Sequence, residues 1–548
     1  MRGNLRHRCG RKPRQPAWPP SRGGLASATV RARAGPGASH PAPAPDPGGH
    51  LLESTSPLFH AVKFTDPQQA LEAIFGYREF RPGQRKIIDT VLSGRDCIGV
   101  MPTGAGKSLT FQLPAKLMPG TVLVISPLIS LMKDQVDALV RLGFRATMVN
   151  STIPFEERRE RLSALRRGEI EILYLAPEAL EGSLRDFIAG CRISLVVVDE
   201  AHCISHWGHD FRPAYRKLRG LKEQLGDIPV LALTATATRR VAGDIIRQLG
   251  MKKPDGFKGS FLRRNLHITA VRKGKGADGT QRNVRKDLLG LLKRHKDQSA
   301  IVYCMSRRSV EQTATWLQEQ GVRAVPYHAG LPDELRERHQ NAFARDEVDV
   351  VVATVAFGMG IDKSNVRLVV HRDMPKSVEA WYQEIGRAGR DGLVSDVVVF
   401  YSYADVIGYD TFLDSIEDEA LKAETRRKTL DLFRMFDAGG CRHQAACAWF
   451  DETIEPCGES CDVCRGIGVA DLVAPVSVKA AAAAGARGGR AAALAEMAED
   501  DVARFEQLRA VRKRLADAES VPAYIVFNDA VLREMAMRRP ASEAEMLE

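Results

Sequence analysis

No stretch of this 548-residue chain strings together the ~18 apolar residues needed to cross a bilayer. No apolar run follows its basic N-terminus as it would in a secretory leader. Acidic residues are missing from the first 45 positions, which carry nine Lys/Arg; removing those nine from the formal charge of +11 leaves +2 for the rest. Global charge therefore says little about what the body of the chain binds. The sequence also lacks a paired cysteine framework in its first 400 residues: Cys9, Cys97, Cys191, Cys203 and Cys304 stand singly, as reduced thiols of a cytosolic protein do. These absences point to a cytoplasmic protein with no membrane partner.

What is present is close to the globular average, with 44% hydrophobic and 27% charged residues, which excludes a collagen-like, coiled-coil or wholly disordered chain. At ~100–200 residues per domain the length predicts three or four folded units. Residues 1–65 read as a disordered basic tail and lead-in, either a solvated extension or an arginine-bearing arm for nucleic acid. Over 66–258, short apolar runs (Cys97–Val100, 121–125, 170–175, 195–198 and 230–233) alternate with helical stretches. Residues 259–401 repeat the scheme at 300–303, 348–353, 368–371 and 397–401. Continuous apolar strands separated by helices predict α/β units with parallel sheets covered on both faces. Residues 402–466 read as a helical subdomain, 467–500 as an Ala/Gly-rich linker, and 501–548 as a further small helical unit. In that last unit Phe505, Leu508, Val511 and Leu515 predict one apolar stripe.

The segment Met101-Pro102-Thr103-Gly104-Ala105-Gly106-Lys107-Ser108 follows a predicted strand and opens a predicted helix. Gly104 and Gly106 let backbone N–H groups cradle phosphate oxygens; Lys107 supplies a point charge and the Ser108 hydroxyl a ligand for Mg²⁺. A second apolar strand delivers Asp199 and Glu200 at its C-terminal end, where open α/β sheets bind ligands. Asp199 suits Mg²⁺, and Glu200 suits activation of a water. Gln383, Arg387 and Arg390 are spaced four and three, one face of a helix in the other α/β unit. Arginines from a second unit reach a γ-phosphate only when the units close. By themselves these residues describe a two-lobed NTPase.

Taken together the motifs resemble superfamily-two helicases, and more narrowly the RecQ DNA helicases. Phe75-Gly-Tyr-Arg-Glu-Phe-Arg-Pro-Gly-Gln84 is similar to the family's motif upstream of the phosphate loop. That match implies that Tyr77 stacks on adenine while Arg81 and Gln84 contact the nucleotide. Asp199-Glu-Ala-His202 resembles the DEAH box. Cys203-Ile-Ser-His-Trp-Gly-His-Asp-Phe-Arg-Pro213 resembles the aromatic-rich loop of RecQ proteins, which implies that Trp207, His209, Phe211 and Arg212 sense single-stranded DNA. Aromatic faces are apt for that task, since base stacking is worth roughly 1–3 kcal/mol per base whatever the sequence. Ser126–Gln135, Thr234-Ala-Thr236, 327–331 and 353–362 match further motifs in family order.

Cys457-x₃-Cys461-x₂-Cys464 has the spacing of a tetrahedral zinc site, with Cys441 and Cys447 both near enough in sequence to complete it. The resemblance selects Cys441, because Cys441-Arg442 and the downstream knuckle are similar to the RecQ zinc subdomain; Cys447 becomes a buried helix residue. Three residues part Cys457 from Cys461 where the family commonly has two. The span from Cys464 to the final helices is below the ~50-residue floor of a domain, so the family's winged helix is expected to be absent. The final helices resemble an incomplete HRDC domain. The resemblance thus implies two RecA-like parallel-sheet domains, a zinc subdomain and a partial helical domain. It also implies ATP, Mg²⁺ and Zn²⁺ as cofactors, and an ATP-driven 3′–5′ motor on single-stranded, partial duplex or forked DNA. Recombination, repair and the SOS response are its implied settings. A single-strand-binding protein is an implied partner, the chain a monomer near the nucleoid. A DNA annealing factor that uses ATP as a switch is the alternative.

Overall fold

Seven strands follow one another through the first half of the chain: β1 (Cys97–Val100), β2 (Thr121–Ile125), β3 (Ala146–Val149), β4 (Ile172–Leu175), β5 (Ile193–Val198), β6 (Val230–Thr234) and β7 (Asp255–Lys258). They form one sheet in the order β3-β4-β2-β5-β6-β1-β7. Six more, β8 (Leu266–Arg272), β9 (Ser299–Tyr303), β10 (Ala324–Tyr327), β11 (Val350–Ala353), β12 (Val366–His371) and β13 (Ser395–Tyr401), form a second sheet ordered β10-β11-β9-β12-β13-β8. Every strand pair is parallel. This computed structural model describes residues 64–127, 129–150, 152–180, 182–205, 208, 210–275, 281–358, 363–413, 418–473, 497–519, 521–542 and 545–546. The basic tail and most of the Ala/Gly-rich stretch lie outside them.

The central strands are buried along their whole length, as β-branched runs covered by helices on both faces require. The chain passes from the first sheet to the second between Lys258 and Leu266. β3, β7, β8 and β10 extend the sheets beyond the runs expected from composition. β7 reads Asp-Gly-Phe-Lys and alternates between half-buried and exposed, because an edge strand needs only one apolar face.

Among the described residues helices Tyr403–Leu413, Glu419–Asp437, Arg442–Trp449, Asp462–Arg465 and Val469–Val473 follow. They turn the cysteine cluster back onto β8, where Ile268 N–H donates to Ser460 O (3.0 Å) and Ala270 N–H to Asp462 Oδ2 (3.0 Å). The end of the chain forms helices Glu499–Ala518, Ala523–Val526 and Asp529–Arg538. Here the expected stripe is out of phase. Phe505 is buried, but Val511 and Leu515 are 40% and 50% exposed, while Arg512 is buried. Arg512 donates to Asp529 Oδ1 at 2.8 Å, and that partnered charge takes the inward position an apolar residue was expected to hold. Among the described residues no helix is long and apolar enough to cross a membrane.

Candidate active site

β1 and β5 flank β6, so three strand ends open on one edge of the first sheet. β1 runs into the glycine-rich loop, and Met101 N–H donates to Thr234 O (2.9 Å) at the end of β6. β5 runs into Asp199, whose N–H donates to Ile125 O (2.9 Å). The sheet therefore brings Thr103–Ser108, Asp199–Glu200 and Thr234–Thr236 side by side at the switch point. Gly104 and Gly106 have φ of +83° and +76°, open to glycine at little cost. Helix Leu109–Leu117 begins at once after Ser108, aiming its positive end at the loop.

The loop is braced from the N-terminal side. Arg81 Nη1 donates to Gly104 O (2.5 Å) and Gln84 Nε2 to Gly106 O (2.9 Å). Tyr77 stands 57% exposed. Lys107 Nζ donates to Met101 O (3.3 Å), and Gln135 Nε2 to Ser108 Oγ (3.5 Å). Gln135 is held in turn by Tyr174 OH (2.7 Å).

The two carboxylates are adjacent and different. Burial, reinforced by Glu200, holds the Asp199 carboxyl above its usual range. Burial pushes Glu200 the same way, but His202, then Lys107 and Arg387, more than offset it and hold it low. His202 Nδ1 lies 3.3 Å from Glu200 Oε2 and 3.0 Å from Thr234 Oγ1. Glu200 adopts φ 47°, ψ 44°, a left-handed conformation costly for a non-glycine residue. The excess of buried negative charge at Asp199 and the nearby Ser108 hydroxyl are a donor set suited to a hard divalent cation.

The second lobe meets this edge. Gln383 Nε2 donates to Thr236 Oγ1 (3.4 Å), extending a polar chain through Thr236, Thr234 and His202 to Glu200. A Cβ at Gly386 would sit 3.2 Å from Thr103 Cβ and Oγ1, and one at Gly104 would sit 3.8 Å from Arg390 Cγ. Arg387 is buried. Arg263, in the segment joining the lobes, donates to Thr103 O (3.1 Å), Ala388 O (3.1 Å) and Gly389 O (3.0 Å). It ties the phosphate loop to the arginine turn, yet it stands in an Arg-Arg pair with no motif around it, and no sequence signal singled it out.

Trp207 and His209 lie outside the described residues. Phe211 is half-buried with the Arg216 guanidinium 5.1 Å from its ring centre. Arg212 donates to Pro127 O (3.1 Å) and Asp210 Oδ2 (3.2 Å), so in this structure it anchors its loop.

The sulfurs of Cys441, Cys457, Cys461 and Cys464 lie within 4.8 Å of one another, close to the ~3.8 Å spacing that four Zn–S bonds impose. Within the longer spacing between Cys457 and Cys461, Gly458 turns the backbone with φ +76°. Burial opposes a thiolate at Cys441, but N–H donors from Cys457 (3.3 Å) and Gln444 (3.5 Å) bring its pKa down to about 7. Cys447 stays outside the cluster, buried in helix Arg442–Trp449, its thiol pushed up to about 12 by burial and by Glu452.

Four family models match the chain. They are a DEAD/DEAH box helicase at 81–245, a helicase conserved C-terminal domain at 283–392, RecQ zinc-binding at 403–465 and an HRDC domain at 501–548. The chain is 37% identical to the ATP-dependent DNA helicase RecQ of Pasteurella multocida, over 89% of its own length and 91% of that protein's. It is 35% identical to the protein of the same name from Haemophilus influenzae, over 87% and 91% of the two chains. The DUF1998 helicase MrfA bound to DNA and AMPPNP shares the fold with a TM-score of 0.52 at 18% identity, over 64% of this chain and 53% of that one.

Proposed function

Because the chain belongs to the RecQ family of ATP-dependent DNA helicases, we propose that its residues divide the work as follows. The enzyme is an ATP-dependent DNA helicase that uses ATP, Mg²⁺ and Zn²⁺. Backbone N–H groups of Thr103 to Ser108 hold the phosphates, with Lys107 beside the β and γ groups. Tyr77 stacks on the base, and Arg81 and Gln84 relay its presence to Gly104 and Gly106. Ser108 and Asp199 hold Mg²⁺, which neutralises phosphate charge when bound. Glu200, kept ionised by His202, orients the attacking water and takes its proton. Arg387 and Arg390 steady the charge that builds on the transferring phosphoryl group, and Gln383 links their lobe to Thr236. The four thiolates leave no open position on zinc, so its role is structural.

The observation that carries this reading is the seating of Gly386 against Thr103 with Arg390 beside Gly104. Hydrolysis then needs both lobes together, and product release frees them, so each ATP yields one movement along DNA. The finer reading is 3′–5′ travel on single-stranded DNA, in recombination and repair, by a monomer in the bacterial cytoplasm. Trp207, His209, Phe211 and Arg212 are the proposed DNA sensors, and a single-strand-binding protein the proposed partner.

Strand displacement tests this on partial duplexes carrying a 3′ or a 5′ tail, with ATP, Mg²⁺ and a Lys107→Ala control. Displacement from the 3′ tail alone, lost in the control, is expected. Hydrolysis without opening of either duplex overturns the motor and leaves an ATP-switched annealing factor.

A further inference from the structure

Arg367, at the start of β12, is buried in the second lobe, and its guanidinium faces two carboxylates from different parts of the chain. Nη1 donates to Asp391 Oδ1 at 3.0 Å, and Nη2 pairs with Asp391 Oδ2. The same Nη2 also reaches Asp529 Oδ2 at 3.4 Å. The Asp391 side chain is fully buried, and the residue immediately follows Arg390. Asp529 opens helix Asp529–Arg538 in the C-terminal segment and is itself bonded to Arg512 (2.8 Å). Two buried guanidiniums thus share two buried carboxylates, one from the arginine turn and one from the C-terminal segment.

The rest of that turn is held just as closely. Gly389 N–H donates to Val366 O (3.0 Å), next to Arg367, and Leu393 N–H to Asp391 Oδ1 (3.2 Å). A change in where Arg367 points therefore moves Asp391, and Arg390 with it. The seam itself carries charges from both sides. Buried Lys363 pairs with Asp346 and lies under the Tyr524 ring at 5.6 Å, and a cavity of about 320 Å³ runs beside Arg367, Arg509, Arg512 and Asp529. A charge-matched seam separates at less cost than an apolar one.

We infer that the C-terminal helical segment is docked on the second lobe as a positioning element for ATP hydrolysis, with Asp529 acting through Arg367 and Asp391 on the Arg390 turn. Asp529 bonds Arg367 and Arg512, and its charge fixes the direction of Arg367. Loss of that charge takes the carboxylate partner from Arg512 and leaves Arg367 with Asp391 alone, and the turn loses its brace. The inference rests on the proposed role of Arg390 and is tested beside it.

The experiment is steady-state ATPase of the full chain with oligo(dT), comparing Asp529→Asn, Asp529→Glu, Arg390→Ala and Arg538→Ala. Asp529→Asn should lower kcat about fivefold with KM for ATP and Kd for oligo(dT) within about twofold, the signature of an interaction used in the transition state. Asp529→Glu should restore kcat to within about twofold, and Arg538→Ala, altering an exposed pair in the same segment, should match the parent. Since Asp529 belongs to the segment, undocking or local unfolding in Asp529→Asn is itself loss of the brace and gives the same expected result. If Arg390→Ala retains the parent turnover, the reading of Arg390 falls and this inference with it. If Arg390→Ala is inactive while Asp529→Asn keeps the parent kcat, or loses efficiency through KM alone, only this inference is overturned.

Discussion

Gly386 ends helix Val378–Ile385 in an ordinary right-handed conformation, φ −61° and ψ −9°, so backbone freedom is not what the position needs. It needs the missing side chain. An added methyl would press on Thr103 at 3.2 Å and on Tyr382 O at the same distance, and the neighbours would have to yield by a few tenths of an ångström. Gly386→Ala is therefore expected to keep the fold and DNA affinity but to lower kcat about three- to tenfold, since small misplacements of a catalytic group are costly. ATPase and oligo(dT) titration of the same preparation check both halves. The individual site residues differ in how far they could be read from the chain. Lys107, Ser108, Asp199 and Glu200 sit in motifs whose spacing follows from phosphate and metal chemistry. Arg263 reaches Ala388 across 125 positions and Arg367 reaches Asp529 across 162, and no local pattern announces them.

The elements divide in the same way. β2, β4 and β6 were legible because strands buried on both faces must be continuously apolar. β7 was not, since an edge strand of Asp-Gly-Phe-Lys is specified by its register with β1 and not by composition. Helix Glu499–Ala518 was recognised by its period, with Phe505 facing inward as expected, but its second half is out of phase, because a buried arginine cannot be told from an exposed one until Asp529 is found beside it. The zinc knuckle is an element whose position matters more than its size. It closes the open edge of β8 through Ser460 and Asp462, and Arg442 locks Asp462 in place at 2.9 Å. Chelation of the metal or Cys461→Ser should lower the thermal midpoint and speed amide exchange at Ile268 and Ala270. Structural zinc contributes folding free energy directly, and exchange measured by mass spectrometry reads that edge separately from the first lobe.

At the scale of the whole molecule, the zinc subdomain also grips the segment that joins the lobes. Phe450 stacks on Phe261 at 4.4 Å, Phe261 N–H donates to Glu452 (2.6 Å), and Arg239 N–H of the first lobe donates to Asp451 (3.2 Å). Acid should loosen the assembly. Burial alone would raise Glu171, Asp373 and Asp396, but their partners outweigh it. Lys116 and Arg145 hold the first below its ordinary value, Lys273 and Arg372 the second, His295 the third. Each takes up a proton more readily unfolded than folded. Their contribution is complete above the usual carboxylate range and drains away as pH falls through the lowered folded values. The thermal midpoint is expected to drop steeply below about pH 4.5, which calorimetry from neutral pH downward checks. The cover over β8 has one more consequence, for the protein in quantity. A parallel strand stripped of its cover presents a row of free N–H and C=O groups to any neighbour. Chains produced in zinc-poor medium would then be lost to intermolecular strand pairing and sedimentation before their activity was in question, so metal supply would govern how much soluble enzyme a cell holds.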